Sequence, residues 1–268
     1  MLSSPRRRPR GPLQQSLRQE YEEFLLQQID DYKDRLSRQE LMTIADEAVR
    51  ELEIGPEEQL VLTEVLVLEH VDRLIMRRLK LPTFRRWKER HLALREAQRQ
   101  PGHWGLDRST SLGELALRLG DRDTALLVGE GTVSAGLFLA AHEWPVVLID
   151  NSIAIIESAE MRAASEGLSA RFQALVVSLG SWFPNVTPTL VVLDPSTVVG
   201  LHPHARDRLI DTLKELTRPG GVHCVLHCHE PEQSPSLSHE IIKNHYGGWS
   251  VTSSRQSRTR RELLAAKP

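Results

Sequence analysis

The stretch ALLVGEGTVSAGLFLAAHEWPVVLID, Ala125 to Asp150, decides how this chain folds. Its first four residues are apolar and run into Gly129-Glu130-Gly131. A helix-length segment from Val133 follows, then a second apolar run, Val146 to Ile149, closed by Asp150. A strand that ends in Gly-x-Gly and opens a helix lets the backbone come close to a nucleotide, and an acid ending the next strand accepts both ribose hydroxyls. Asp150 follows Gly131 at close to the roughly 20-residue separation of that arrangement. The third small position is Ser134 and not glycine, so the turn alone reads equally as a tight βα corner without a ligand. Together with the second strand and its acid it reads as the site of an adenosine-containing cofactor.

Beyond Asp150 the pattern keeps alternating: helix over 152–166, strands near 172–177 and 190–194, helix over 204–217, strand over 222–228. Strands alternating with helices predict a parallel sheet wound on both faces, with ligands bound outside the carboxyl ends of the strands. Gly129, Asp150 and Asp194 stand at such ends. Two extended segments around an Arg/Ser stretch, from Gly247 to Ala265, read as an antiparallel hairpin closing the sheet. Arg255, Arg258, Arg260 and Arg261 lie in or beside it and read as a solvated edge strand, with contact to a substrate's phosphates the less favoured reading.

Upstream the character changes. Leu17, Tyr21, Phe24, Leu25 and Ile29 recur at helical spacing. Ser37-Arg38-Gln39-Glu40 is a capping box that opens a second helix running to about Ile54. Gly55-Pro56 stops one helix and starts a third, which Leu81-Pro82 breaks. A basic helix interleaved with aromatics, Phe84 to His91, reads as Phe84 and Trp87 turned inward with the charges in water. Contact with nucleic acid is the less favoured reading. Residues 1–12 are a disordered basic tail, 13–99 an all-α helical domain, 100–112 a linker in which Trp104 packs on one of the halves, and 113–268 the Rossmann-like domain.

Composition adds bounds. The chain has 268 residues with 40% apolar and 26% charged residues, as in an ordinary globular protein of one or two domains. A net charge of −2 gives no global pull toward nucleic acid or membrane. The first residues hold arginines and prolines without a following apolar core, so no secretory signal is expected, no run is long enough to cross a membrane, and a cytoplasmic protein is expected. Its two cysteines imply no disulfide framework. His223, Cys224, His227, Cys228 and His229 do not read as a metal site, because an extended strand holds Cys224 and Cys228 about 13 Å apart at ~3.3 Å per residue.

The order of these features, with Leu216-Thr217-Arg218-Pro219-Gly220-Gly221 before the strand at 222–228 and a hairpin at the end, resembles the class I S-adenosylmethionine-dependent methyltransferases. The resemblance spans about Leu112 to Pro268. It implies an α/β fold, a Rossmann-like doubly wound sheet with a C-terminal antiparallel hairpin, here preceded by the helical domain. It also implies S-adenosylmethionine as cofactor: Gly129, Glu130 and Gly131 under its methionine and ribose, Asp150 on the ribose hydroxyls, Asn151 beside adenine, and Ser178 and Leu179 where the family usually has an acid for the adenine amino group. The chain departs from the pattern at Leu127, where an acid is usual, and at Val133, where a third glycine is.

Methyl transfer requires a nucleophile held in line and relieved of its proton. Asp194, which ends a strand where transfer takes place in the family, is the first candidate catalytic residue, and as easily a cofactor ligand or a backbone cap. His202 and His204 are candidate general bases, or members of a loop turn entering a helix. Asp194-Pro195-Ser196 has only the first two residues of the Asp-Pro-Pro-aromatic motif of amine methyltransferases, so the acceptor stays unidentified. Two other classes remain open: a non-catalytic methyltransferase-like scaffold or cofactor-binding protein, and an NAD-dependent oxidoreductase. The helical domain is a candidate cover for the pocket, a selector of substrate or the surface for homodimerisation, and the sequence does not rank the three.

Overall fold

A computed structural model describes residues 16–53, 64–108, 110–118, 123–199, 201–229, 243–255 and 260–268. The basic tail, the Gly55-Pro56 restart and Arg258 lie outside them, as do the side chains of His227, Cys228, His229, Arg255, Arg260 and Arg261. The chain divides into two compact units, Met1–Leu94 and Arg95–Pro268.

The first unit is helical: α1 (Leu17–Asp34), α2 (Arg38–Glu53), α3 (Glu64–Leu79) and the start of α4 (Phe84–Gln98). Its small core is Ile29, Ile44, Ala48, Val71, Leu74 and Ile75. The capping box at Ser37 forms as expected, with Glu40 N–H donating to Ser37 Oγ and Ser37 N–H to Glu40 Oε2. A second box opens α1, where Ser16 and Gln19 exchange the same pair of bonds. The aromatics of α4 turn inward: Trp87 is buried, and its ring lies 5.4 Å from that of Tyr21 and 4.5 Å from that of His91. Arg85, Arg86, Lys88 and Arg90 are exposed.

The second unit is the predicted sheet. Its strands are β1 (Ala125–Val128), β2 (Val146–Asp150), β3 (Phe172–Val176), β4 (Leu190–Leu193), β5 (Val222–His229), β6 (Ser250–Arg255) and β7 (Arg260–Ala266), in the order β3-β2-β1-β4-β5-β7-β6. The first five are parallel, and β7 runs antiparallel between β5 and β6, which is the predicted hairpin. Strands buried on both faces read as unbroken apolar runs, and ALLV, VVLI and LVVL are such runs. One face packs α6 (Val133–Ala141) and α7 (Ile153–Ser165) around Leu127, Leu148 and Val192. The other packs α9 (Pro203–Leu216) around Leu126, Val191 and Leu193. Strand order reverses between β1 and β4, so the switch point lies at their carboxyl ends.

Part of the expected linker is ordered. Pro101–Trp104 forms a short 3-10 turn, Trp104 is buried in the first core face with its indole N–H donating to Gln98 O at 2.7 Å, and α5 (Ser111–Arg118) follows. The start of α5 is held by Glu262 of β7, a carboxylate with no exposure. Thr110 Oγ1 donates to it at 2.9 Å and Ser111 N–H at 2.8 Å. An acid at a helix N-terminus meets both the orphan amides and the helix dipole. Glu262→Ala leaves those donors buried and unpaired, and urea denaturation is expected to show a loss of about 2 to 3 kcal/mol.

His223 is likewise buried. Thr217 Oγ1 donates to Leu213 O, so it accepts from His223 Nε2–H at 2.8 Å, and Nδ1 accepts from Tyr246 O–H at 3.0 Å. Both ring nitrogens are therefore used within the core. Burial, seconded by the charges of Lys267 and Lys214 and partly offset by a backbone bond to Leu213, pushes the imidazole down to about 3. A folded pKa below the unfolded one means that the unfolded chain binds the extra proton. This contribution is complete above the unfolded value of about 6.5 and is lost as pH falls toward 3, at up to about 1.4 kcal/mol per pH unit. Stability measured between pH 7 and 4 should fall with that slope, and His223→Gln should flatten it.

Candidate functional site

Register assembles the site. Val128 pairs with Ile149 on one side and with Leu193 on the other, and Asp150 pairs with Val176. The ladders continue one step further, through Gly129 N–H to Ile149 O at 3.1 Å and Asp194 N–H to Val128 O at 3.1 Å. Asp194, Gly129, Asp150 and Val176 therefore form one row across β4, β1, β2 and β3. They lie on the face that carries Leu127, Leu148 and Val192. With strands about 4.8 Å apart, the two acids stand roughly 10 Å from each other on either side of Gly129.

Asp150 is buried, with 2% exposure. Its Oδ1 accepts from Ser152 N–H at 2.8 Å, and its other oxygen has no hydrogen-bond partner among the described residues. Asn151 is exposed beside it. Two apolar side chains are left in solvent at this spot, Val176 with 49% exposure and Ile153, at the start of α7, with 61%. A buried acid with a spare oxygen next to uncovered apolar groups suits a ribose carrying a planar base.

The glycine turn is different. Gly129 has φ 95, and a Cβ there would stand 1.9 Å from Thr197 Oγ1; a Cβ on Gly131 would stand 2.5 Å from Asp194 Oδ2. Thus the space that the missing side chains leave is filled by α8 (Pro195–Val199) and the acid before it. Asp194 takes three donors: Gly131 N–H at 3.1 Å and Ser196 O–H at 2.6 Å on Oδ2, and Ser196 N–H at 3.0 Å on Oδ1. It is the cap of α8 and the clasp of the turn. Thr132, which donates both its N–H and its hydroxyl to Gly129 O, completes the corner. Glu130 is exposed above it.

The remaining candidates scatter around this row. Ser178 is exposed, with its carbonyl accepting from Ser181 and Trp182 N–H, while Leu179 is buried in the second core face. His202 and His204 are exposed at the start of α9, their rings 5.4 Å apart. His202 caps that helix through its backbone alone. Leu127, in the slot where the family has an acid, is wholly buried in the first core face, and Val133 packs against it. Among the described residues no group of three or more His, Cys, Asp or Glu is placed to hold a metal ion, and no helix is long and apolar enough to cross a membrane.

No family model and no curated protein matches the chain. Solved structures do. The glycopeptide N-methyltransferase MtfA, in its complex with sinefungin, is 12% identical over 60% of this chain and 87% of its own, with a TM-score of 0.49. The N-methyltransferase NodS from Bradyrhizobium japonicum WM9 is 17% identical over 60% and 94%, at 0.48. TehB from Haemophilus influenzae is 15% identical over 59% and 61%, at 0.45. The fold assignment rests on strand order and register, independently of these likenesses.

The contact between the turn and α8 is directly testable. Gly129→Ala places a methyl group into Thr197 at a positive φ, and thermal or urea denaturation is expected to show a loss of about 2 kcal/mol or more. Adding Thr197→Ala, which removes the nearest atom, should recover part of that loss.

Proposed function

We propose that the chain binds S-adenosylmethionine and transfers its methyl group to an acceptor. The observation that carries this reading is the row Asp194–Gly129–Asp150 at the switch point of the sheet. Asp150, a buried residue, offers a ribose a carboxylate oxygen with no partner among the described residues, with Val176 and Ile153 uncovered beside it for adenine. Asp194 lies on the amide of Gly131, where a dinucleotide fold holds its pyrophosphate on a helix N-terminus. An internal carboxylate on that amide opposes an NAD-type ligand. It suits a cofactor whose reactive end is a cation.

In this reading Gly129, Glu130 and Gly131 border the cofactor, Asp150 holds the ribose, and Asn151, Ser178 and Leu179 lie toward the base, Leu179 through its backbone. The cofactor supplies an activated methyl group, so the protein has only to place the nucleophile and take its proton. His202 and His204, exposed imidazoles at the start of α9, are the candidate general bases. Asp194 holds the turn and brings its carboxylate to the crevice.

Calorimetric titration of the full chain with S-adenosylmethionine and, separately, with NADH tests the reading. Saturable heat with the first alone is expected. Asp150→Ala should abolish that binding while the chain still folds. Absence of S-adenosylmethionine binding at millimolar concentration, or binding that Asp150→Ala leaves unchanged, would overturn the assignment.

A further inference from the structure

We infer that Asp194 selects the charge of whatever binds beside the glycine turn, favouring a cationic sulfonium cofactor over the neutral thioether that remains after transfer. The inference rests on the methyltransferase reading above and concerns discrimination between the two states of the cofactor.

Asp194 is fixed where it stands. Two backbone amides and one hydroxyl donate to its carboxylate, and only a glycine at 131 permits Oδ2 to come so near the turn. Its exposure is 8%, so solvent screens it poorly. The partners of Asp150 and Asp194 are backbone amides and the Ser196 hydroxyl. Among the described residues neither acid is joined to a Lys, Arg or His. The row therefore holds two carboxylates, one on each side of Gly129, neither of them in an ion pair among the described residues.

The two acids divide the work. Ribose hydroxyls are the same in cofactor and product, so whatever Asp150 contributes is common to both. The sulfur is not: as the nucleophile's electron pair forms its bond to the methyl carbon, the carbon–sulfur pair returns to sulfur and its positive charge vanishes. With the sulfonium bound beside the glycine turn, the Asp194 carboxylate would attract it before transfer and would lose that attraction once the charge is gone. An interaction of unit charges in a partly buried site corresponds to roughly tenfold in affinity or more. Asp194 thus holds the reactant and loosens the product.

The test is competitive or calorimetric binding to the full chain of S-adenosylmethionine, S-adenosylhomocysteine and sinefungin, which carries an amine in place of the sulfonium. The wild-type chain should bind both cations roughly tenfold more tightly than S-adenosylhomocysteine. Asp194→Asn keeps an acceptor for Ser196 and should bring the three affinities to within about twofold, chiefly by weakening the cations. Asp150→Asn should weaken all three alike and leave their ratios in place. Equal affinities in the wild-type chain, or ratios that Asp194→Asn does not move, would overturn the inference while leaving the cofactor assignment intact. If the wild-type chain bound none of the three, the methyltransferase reading would fall, and this inference with it. Should Asp194→Asn fail to fold, the wild-type ranking of cations against the neutral thioether still decides.

Discussion

The carboxylate of Asp194 joins two pieces of chain that lie 63 residues apart: the glycine turn after β1, and the junction where β4 passes into the first turn of α8. A charge-assisted hydrogen bond of this kind contributes about 1.5 to 3 kcal/mol. Its larger effect is geometric. It fixes the corner from which α6 starts, and through the backbone bond of Asp194 to Val128 it sets how β4 ends beside β1. Because these strands flank the switch point, everything that a ligand meets there is referred to this one group. Glycine at 131 is the condition for it, since a side chain would overlap the carboxylate.

The opposite end of the sheet is occupied by devices of stability alone. Asp123 accepts from Thr189 Oγ1 at 2.8 Å and pairs with Arg218, while Gly221 packs its bare Cα against Thr217 and the carbonyls of Arg218 and Thr189. Gly220 takes φ 74 to complete the corner. The Arg218-Pro219-Gly220-Gly221 turn is therefore a structural joint. Nearby, Lys267 donates to the carbonyls of Lys214 and Thr217 at the end of α9, where a cation also meets the negative end of the helix dipole. Polar groups are thus consumed at the amino ends of the strands, and the groups with unused capacity, above all Asp150, stand at the carboxyl ends.

The sheet was legible in sequence for a physical reason. Apolar runs of four or five residues separated by helix-length spacings have few other interpretations, and Asp150 closes one of them in an unambiguous place. The bond between Gly131 and Asp194 crosses 63 residues and that between Thr110 and Glu262 crosses 152, and no local pattern announces either. For the same reason the first two residues of α5, Ser111 and Leu112, fall in the expected linker: the cap of this helix comes from β7 and not from its own neighbours. His223 looked like one member of a His/Cys cluster because the strand carries several such residues. Only the packing of Thr217 and Tyr246 around its ring shows it to be part of the core.

A Gly-x-Gly turn after a strand has two causes that sequence does not separate: room for a ligand, and room for the rest of the protein. Here the second operates at both glycines, since Thr197 and Asp194 take the space. The groups that suit a cofactor stand instead on the flanks of the turn. A buried acid with an unused oxygen is costly unless something donates to it, whether water or ligand. A carboxylate that pre-empts the anion position of the turn makes phosphate the wrong partner and a cation the right one. In the proposed reading the glycines serve the ligand indirectly: by admitting Asp194 so close to the backbone, they set the sign of charge that the crevice accepts.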